Sequence, residues 1–589
     1  MSVIRVIKKF RLILSSHQKL RIFELGLLMI FGGFLETLSV SLIVPFMQAV
    51  MEPAKIMNNQ YVMMICDFCN IHSARSFLVF VAAVLAAIYI IKNVFLLFEY
   101  SIQYRFVYNN MFAMQKQILD NFIHRPYEYF LSANTGELIQ IITNDTANTF
   151  ALLIQLLNLF TEIVVSAALI IVTFAMAPEI TVCIAIILVV LMLIINYAFK
   201  PILRRAGIRN QDSCAEMNKW LLQSIQGIKE LKVQRKEAYF QDNYDRAGQI
   251  YVETVRQNNV YCWIPRYLIE GISMSAFFFI VAFMISQGKN LEEIVPMLSA
   301  VAMAAMRLLP SVNRISVSLS GISYNEPMLD KLIENLKMIE ESNTVSLAAI
   351  DKHAFDNQWD FRKFPVLSKS IQVDHITYHY PNTEKNVLKD ASLTILPGES
   401  IGIVGASGAG KTTLVDIMLG LLKPVEGEIK VDDVNIGTNP QGWLEQIGYI
   451  PQMIFMLDGS IRDNVAFGVE RKDIDDTEVW RALQEASLDT FVKSLPEGLD
   501  TQLGERGIRI SGGQRQRIGI ARALYTNPSV LFFDEATSAL DTETESAIME
   551  SINHLHGMKT MVIIAHRLTT IEGCDHVYRV QDGKILKER

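Results

Sequence analysis

Apolar positions along this chain follow two regimes. Up to about residue 313 they form long runs, and from Ile371 onward they come in short bursts broken by Gly, Pro and charged residues. A helix that crosses a bilayer needs about 20 largely apolar residues. Six stretches meet that condition: 22–48, 76–100, 150–176, 180–199, 262–286 and 293–313. Ahead of them, residues 3–17 interleave Arg5, Lys8, Lys9 and Arg11 with apolar positions, the pattern of an amphipathic helix on the cytoplasmic face. The run that follows is long, holds Glu36 and lacks a small-residue cleavage pattern, so it reads as a first span and not as a cleaved leader.

The segments between these stretches differ in charge. Tyr104–Asn148 and Lys200–Val260 carry Lys and Arg, the second richly (Lys200, Arg204, Arg205, Arg209, Lys219, Lys229, Lys232, Arg235 and Lys236), whereas 49–75, 177–179 and 287–292 hold few. The positive-inside rule then places both termini and the two long segments in the cytoplasm. Those segments are too long for plain turns. Their patterning predicts that spans 2 to 5 continue as helices beyond the bilayer and reverse at Asn134-Thr135-Gly136 and near Gly227. Each reversal would present a short helix to the soluble part of the chain; a plain solvated hairpin is the blander reading. Segment 49–75, with Tyr61-Val-Met-Met-Ile, reads either as a short helix in the outer interface or as a cap on the bundle. Residues 341–366 are aperiodic and read as a linker, after which short β-rich runs alternate with helical ones. The expected architecture is a multidomain membrane protein: a six-helix all-α transmembrane domain over 1–340 with long cytoplasmic extensions, then an α/β domain over 367–589.

Composition narrows this picture. A net charge of −7 over 589 residues argues against a nucleic-acid binder. Six cysteines imply no disulfide framework. Cys66 and Cys69 form a C-x-x-C, but no second pair or His cluster accompanies them, so they read as two separate thiols in an apolar segment.

The chemistry lies in the last third. Gly405-Ala-Ser-Gly-Ala-Gly-Lys411-Thr412 is a G-x-x-x-x-G-K-[ST] loop, entered by the strand-like Ser400–Val404 and left by a helical run from Thr413. Glycines let backbone N–H groups approach phosphates, and the helix N-terminus adds partial positive charge. Gly405, Ser407, Gly408, Gly410, Lys411, Thr412 and Thr413 are therefore expected to hold a nucleotide, with Lys411 on the β- and γ-phosphates and Thr412 on Mg²⁺. Val530–Phe533 reads as a buried strand that delivers Asp534 to the metal and Glu535 to the attacking water.

With these motifs in hand, the chain resembles an ATP-binding cassette (ABC) transporter over essentially its whole length. Ile510-Ser511-Gly512-Gly513-Gln514 resembles the family signature, with Ile where Leu is more usual. Tyr449-Ile-Pro-Gln452 resembles the Q-loop, Ser538-Ala-Leu-Asp541 the D-loop, and Ala565-His566-Arg567 the switch histidine. Tyr380 matches the aromatic that stacks on adenine, and Gly504-Glu505-Arg506-Gly507 the exporter X-loop. The resemblance implies ATP and Mg²⁺ as cofactors, Gln452 as both a metal ligand and a catalytic group beside Glu535 and His566, and a dimer. In the family the signature of one subunit covers nucleotide held by the other. A homodimer is the simplest reading because both half-sites keep their full residue set; a related second chain is the alternative.

Fusion of the membrane and ATPase domains in that order resembles exporters and lipid flippases. Glu36, Lys92, Glu99, Glu162, Arg266, Glu270, Arg307 and Arg314 lie within or beside the spans. A charged side chain at the bilayer centre costs about 2.5–3.5 kcal/mol on the insertion scale, so these groups should face the bundle interior or an interface. Lys92, Arg266, Arg307 and Arg314 fall towards the cytoplasmic half and would line a basic chamber for an anionic headgroup; snorkelling to lipid headgroups is the plainer reading. Arg266 and Glu270, four apart, are expected to pair. Phe34–Phe46, Pro265–Gly271 and Met306–Ile315 resemble PglK-type flippases, which turn polyprenyl-diphosphate-linked oligosaccharides from the inner to the outer leaflet. That resemblance implies a bacterial inner-membrane protein with a lipid-linked glycan as cargo. The alternative is an exporter of another amphiphile such as lipid A, a drug or a peptide.

Overall fold

The computed structural model describes residues 2–42, 46, 50, 73–176, 178–286, 291–342, 364–381, 383, 385–504, 507–535, 549, 552, 554–565 and 571–589. The chain divides into two compact units. One comprises Met1–Arg125 and Ala133–Asp351, the other Pro126–Ser132 and Lys352–Arg589.

The first unit is helical. Its long helices are Ser16–Ser41, Ala74–Ile123, Thr146–Met176, Pro178–Gln226, Glu237–Ser286 and Leu291–Ser342. Ala74–Ile123 has 50 residues. At ~1.5 Å rise per residue it spans roughly 75 Å, more than twice a hydrocarbon core of about 30 Å. Four helical stretches among the described residues are long and apolar enough to cross a membrane: Ser16–Ser39, Arg75–Ile123, Thr135–Phe174 and Ala185–Gln226. The expected spans at 262–286 and 293–313 fall on the last two long helices, where many side chains lie outside the described residues.

The chain reverses where its helix signals stop. Asn134 caps Thr135–Gln140 by accepting from the Gly136 N–H at 3.0 Å. Gly227 separates two helices, and Arg235 closes Ile228–Gln234 in the left-handed conformation, φ 54°. A π-helical turn, Ile141–Asp145, interrupts the helix that follows the first reversal. There Asp145, fully buried, accepts from Gln211 at 2.8 Å and Gln140 at 3.2 Å, while Gln140 accepts from Asn218 at 3.1 Å. Each carboxylate oxygen thus has a donor, which a buried charge requires, and the network ties two long helices together. Segment 49–75 and the linker lie largely outside the described residues, as do Cys66 and Cys69.

The second unit is α/β. An antiparallel sheet of order β2-β1-β4-β5 is built from Ile371–Tyr378 (β1), Leu388–Ile395 (β2), Glu426–Val431 (β4) and Val434–Asn435 (β5). The second sheet has order β10-β9-β3-β8-β7-β6. Its strands are Ser400–Val404 (β3), Ile447–Ile450 (β6), Val530–Asp534 (β7), Thr560–Ile564 (β8), His576–Gln581 (β9) and Lys584–Lys587 (β10). Strands β6, β7, β8, β3 and β9 run parallel.

Continuous apolar runs on β7 and β8 follow from a sheet covered on both faces. Leu531, Phe533, Met561 and Ile563 join one core, with the helices Ile461–Val465, Asp476–Glu485 and Gly512–Tyr525. Val530, Phe532, Val562 and Ile564 join another, with β1, β2 and the helix Lys411–Met418. Phe532 is fully buried, so Phe532→Ala should cost about 3–5 kcal/mol. The check is the thermal unfolding midpoint of the ATPase unit; a loss under about 1 kcal/mol would show that two-faced burial is not what secures β7.

Candidate nucleotide site and membrane cavity

Parallel topology brings the chemistry to one edge of the sheet. In such sheets ligands bind beyond the carboxyl ends of the strands. β3 runs into the glycine loop, β6 ends two residues before Gln452, β7 ends on Asp534, and β8 ends two residues before His566. His566 and Asp541 themselves lie outside the described residues, as do Glu505 and Arg506.

The loop geometry needs its glycines. Gly405 has φ 154°, and a Cβ there would meet the Val580 carbonyl oxygen at 2.5 Å. Gly410 has φ 104° and caps Lys411–Met418 without a side-chain bond, so the helix's first N–H groups face the loop. Ser407 and Gly408 are exposed at its tip. Lys411 is only 5% exposed, and its ammonium donates to the carbonyls of Gly405 at 3.1 Å and Ala406 at 3.2 Å. Thr412 is exposed, and Thr413 is buried with its hydroxyl 2.9 Å from that of Tyr380. That bond fixes the Tyr380 ring beside the loop.

Asp534 is buried at the strand end and accepts a hydrogen bond from Tyr449. Burial raises its carboxyl above the ordinary range and Glu535 adds to this, against the Tyr449 bond and the Lys411 charge. Glu535 follows with φ 50°, a conformation that costs a residue with a side chain about 1–3 kcal/mol. Its Oε2 accepts from Gln452 Nε2 at 2.8 Å, so residues 83 apart in sequence meet. Thr412 and Asp534 offer hard oxygen donors, the chemistry that suits Mg²⁺ shared with phosphates.

Two neighbours of this site were given no role from the sequence: Tyr449, which the Q-loop motif includes, and Asp416. Asp416 sits five residues after Lys411, and its carboxyl is pushed up to about 6 by burial and by Asp534. An acid followed by an apolar helix face was the available signal, and it is too common to single out.

The signature motif starts a helix. Ser511 Oγ accepts from the Gln514 N–H at 3.2 Å, and Gln514 Oε1 accepts from the Ser511 N–H at 2.9 Å. This reciprocal cap holds Ser511 and Gln514 to each other and leaves Gly512 exposed and Gly513 buried at the helix N-terminus. The signature helix belongs to a different core from the glycine-loop helix. Arg522 anchors it, donating to the carbonyls of Asn464 and Phe455 at 2.8 Å each, with its guanidinium 4.5 Å over the Phe467 ring. The short helix Tyr127–Ser132 belongs to this same unit, where Glu128 accepts from the Lys423 N–H at 3.2 Å.

The helical unit holds a cavity of about 810 Å³. Tyr100, Tyr104, Gln155, Asn158, Glu162, Trp263, Arg266, Glu270, Asn313 and Arg314 are among its lining residues. Arg314 Nε is 2.5 Å from Glu162 and its Nη2 is 3.7 Å from Glu36. Arg266 lies 5.3 Å from the Trp263 ring and 5.9 Å from the Tyr267 ring, and its buried Nε has no hydrogen-bond partner among the described residues.

The expected Arg266–Glu270 pair is not among the ion pairs of the described residues. An arginine preceding a glutamate by four is the weaker orientation on a helix, and the aromatic rings claim the guanidinium. Lys92 is not on this lining; its ammonium sits 4.9 Å over Tyr89. The side chain of Arg307 lies outside the described residues. The chamber also differs from the basic one expected: Glu162 and Glu270 match Arg266 and Arg314 in number.

Comparison with known proteins agrees with this architecture. Residues 388–538 match the ABC transporter family and residues 23–306 the ABC transporter transmembrane region. The chain belongs to the ABC transporters, as an exporter with its transmembrane and ATPase domains fused, and it couples ATP hydrolysis to transport. It is 28% identical over 483 residues to a "Multidrug resistance ABC transporter ATP-binding and permease protein" of Lactococcus lactis, covering 80% of this chain and 77% of that protein. Its identity to the "Heterocyst differentiation ATP-binding protein HepA" of Nostoc is 29%, over 81% of this chain and 75% of that one. The fold matches a bacterial Atm1-family ABC exporter with ATP bound, at TM-score 0.73 and 21% identity, over 96% of this chain and 94% of the other.

Asp416 makes the stability of the ATPase unit depend on pH. Its folded value of about 6 lies above the ordinary 3.8, so between these values the folded state holds more protons than the unfolded one. The resulting contribution is full below about pH 4 and is lost as pH rises through about 6. Asp416→Asn should therefore raise the unfolding temperature at pH 7.5 by roughly 2–4 °C, with little change at pH 4. A thermal-shift titration reads this, and equal shifts at both pH values would remove the assignment.

Proposed function

We propose that two copies of this chain form a homodimeric ATP-driven flippase. It carries a polyprenyl-diphosphate-linked oligosaccharide from the cytoplasmic to the outer leaflet of a bacterial inner membrane. Basic residues concentrated in Lys200–Val260 support a cytoplasmic placement of both termini and the ATPase domain, with six spans in all.

In this reading Tyr380 stacks on adenine, and the loop from Gly405 to Thr413 cradles the phosphates with Lys411 at its centre. Thr412, Gln452 and Asp534 hold Mg²⁺, which when bound neutralises β- and γ-phosphate oxygens. Glu535, oriented by Gln452, polarises the attacking water, and His566 and Asp541 complete the half-site. Ser511, Gly512, Gly513 and Gln514 close over nucleotide held by the partner. The separate cores of the two motifs support that division of labour. Closure and release of the ATPase domains then bias the long helices between two states, with the Tyr127–Ser132 helix as one coupling element.

The observation that carries the cargo assignment is Arg266. Its buried Nε lacks a partner among the described residues, in a cavity of about 810 Å³ that also presents Trp263, Tyr100 and Tyr104 with the amides Gln155, Asn158 and Asn313. An unmatched guanidinium suits a diphosphate, and aromatic faces with amides suit sugar rings. Arg307, seven residues before Arg314 on the helix Leu291–Ser342, would extend the anion path, whereas Arg314 is paired with Glu162 and Glu36 and Lys92 is not on the lining. A second reading, export of a cationic amphiphile, is favoured by Glu162 and Glu270 on the same lining.

Two measurements test these assignments. Glu535→Gln should bind ATP but lower hydrolysis by roughly 10²- to 10⁴-fold; near-normal turnover would overturn the role of Glu535. In liposomes with a fluorescent polyprenyl-diphosphate glycan, flipping should need ATP and fail with a non-hydrolysable analogue. There Arg266→Ala should cut glycolipid moved per ATP hydrolysed by roughly 10- to 100-fold. Unchanged flipping, or stimulation by cationic amphiphiles alone, would favour the second reading.

A further inference from the structure

The first thirty residues, with part of the helix Thr146–Met176, line a trough to which none of the roles above is assigned. The helix Ser2–Ile13 and the residue after it turn Val6, Phe10 and Leu14 into the helical core. Lys9 pins this helix there through Glu326 at 3.5 Å and through Asp330. Between this helix, Ser16–Ser41 and Thr146–Met176 lies an apolar trough of about 660 Å³. Ile7, Phe23, Leu27, Ile30, Leu156 and Phe160 line it, and all but Leu156 are exposed. Phe23, Leu27 and Ile30 repeat at helical spacing, as do Leu153, Leu156 and Phe160, so two apolar stripes face one gap. Gly26 keeps that gap open: a Cβ there would meet nothing closer than Phe160 Cε1 at 3.9 Å.

Charge decides what the trough receives. Arg11 and Lys19 are part of its lining, and both are exposed. Residues 1–23 contain Arg5, Lys8, Lys9, Arg11, Lys19 and Arg21 and no Asp or Glu. Of these cations only Lys9 has a carboxylate partner among the described residues. An apolar slot edged by unpaired cations on an amphipathic helix, just before a span, matches one kind of ligand: an apolar chain bearing a phosphate. A second copy of this face would bring like charges against these cations.

We propose that this trough is a binding site for an anionic phospholipid. One acyl chain lies along Gly26 and Phe160, and the headgroup phosphate rests on Arg11 and Lys19. The site is separate from the cavity around Arg266, with no lining residue in common.

Native mass spectrometry of the purified full-length protein tests it, after exchange into micelles holding equal phosphatidylglycerol and phosphatidylcholine. Wild type should retain phosphatidylglycerol over phosphatidylcholine by roughly tenfold or more. Arg11→Gln with Lys19→Gln should lose that preference. Gly26→Leu fills the slot with a better helix former and keeps every charge, so it should lose both lipids at an unchanged unfolding temperature. Equal retention of the two lipids by wild type would overturn the proposal. So would a preference that survives the double substitution, or undiminished lipid on Gly26→Leu; that last result would leave the cations as a diffuse interfacial patch only.

Discussion

A parallel sheet buried on both faces has one place to put polar chemistry, beyond the carboxyl ends of its strands. The ATPase unit depends on that constraint. Phe532 and Phe533 point into opposite cores, so β7 cannot slip by one residue without exchanging its two faces. The fixed register delivers Asp534 and Glu535 to the same edge as the glycine loop and Gln452. The Gln452–Glu535 hydrogen bond, the buried Lys411 and the Tyr380–Thr413 contact all follow from it.

The helical unit obeys a different rule. In an apolar surround a charge must be matched or face a cavity. Arg314 is matched by Glu162 and Glu36, contributed by two other helices. Arg266 is stacked on aromatics and turned to the cavity. One arginine is thus committed to the bundle, while the other keeps bonding capacity among the described residues. The Asp145 network at the π-turn follows the same rule outside the cavity, where amides take the place of a counter-charge.

The N-terminal helix shows how one short element serves two environments. Val6, Phe10 and Leu14 belong to the protein core, while Ile7 and Arg11 border an open trough. Lys9 faces acids of the helix Leu291–Ser342, and the neighbouring cations meet none among the described residues. A stripe can be divided this way because successive helical residues are rotated by about 100°.

Much of this molecule was legible before any coordinates. Long apolar runs gave the four helices that qualify as spans. Gly227 and Asn134-Thr135-Gly136 marked the reversals, and Ser511 with Gln514 carried the spacing of a helix cap. These are local signals, since backbone hydrogen bonds, capping and glycine conformations involve residues a few positions apart. The sequence by itself therefore determined where the helices and strands run and where the glycine loop and the helix caps fall. It did not determine which charges meet. The local Arg266–Glu270 pairing was expected and is not among the ion pairs of the described residues, whereas Arg314 finds Glu162 across 152 positions. Asp416 lies near enough to Asp534 for that carboxylate to add to the upward push of burial, and no spacing announces this. Such partnerships depend on the rotation and depth at which packed helices and strands meet, a global outcome of side-chain packing, and only the tertiary structure decided them.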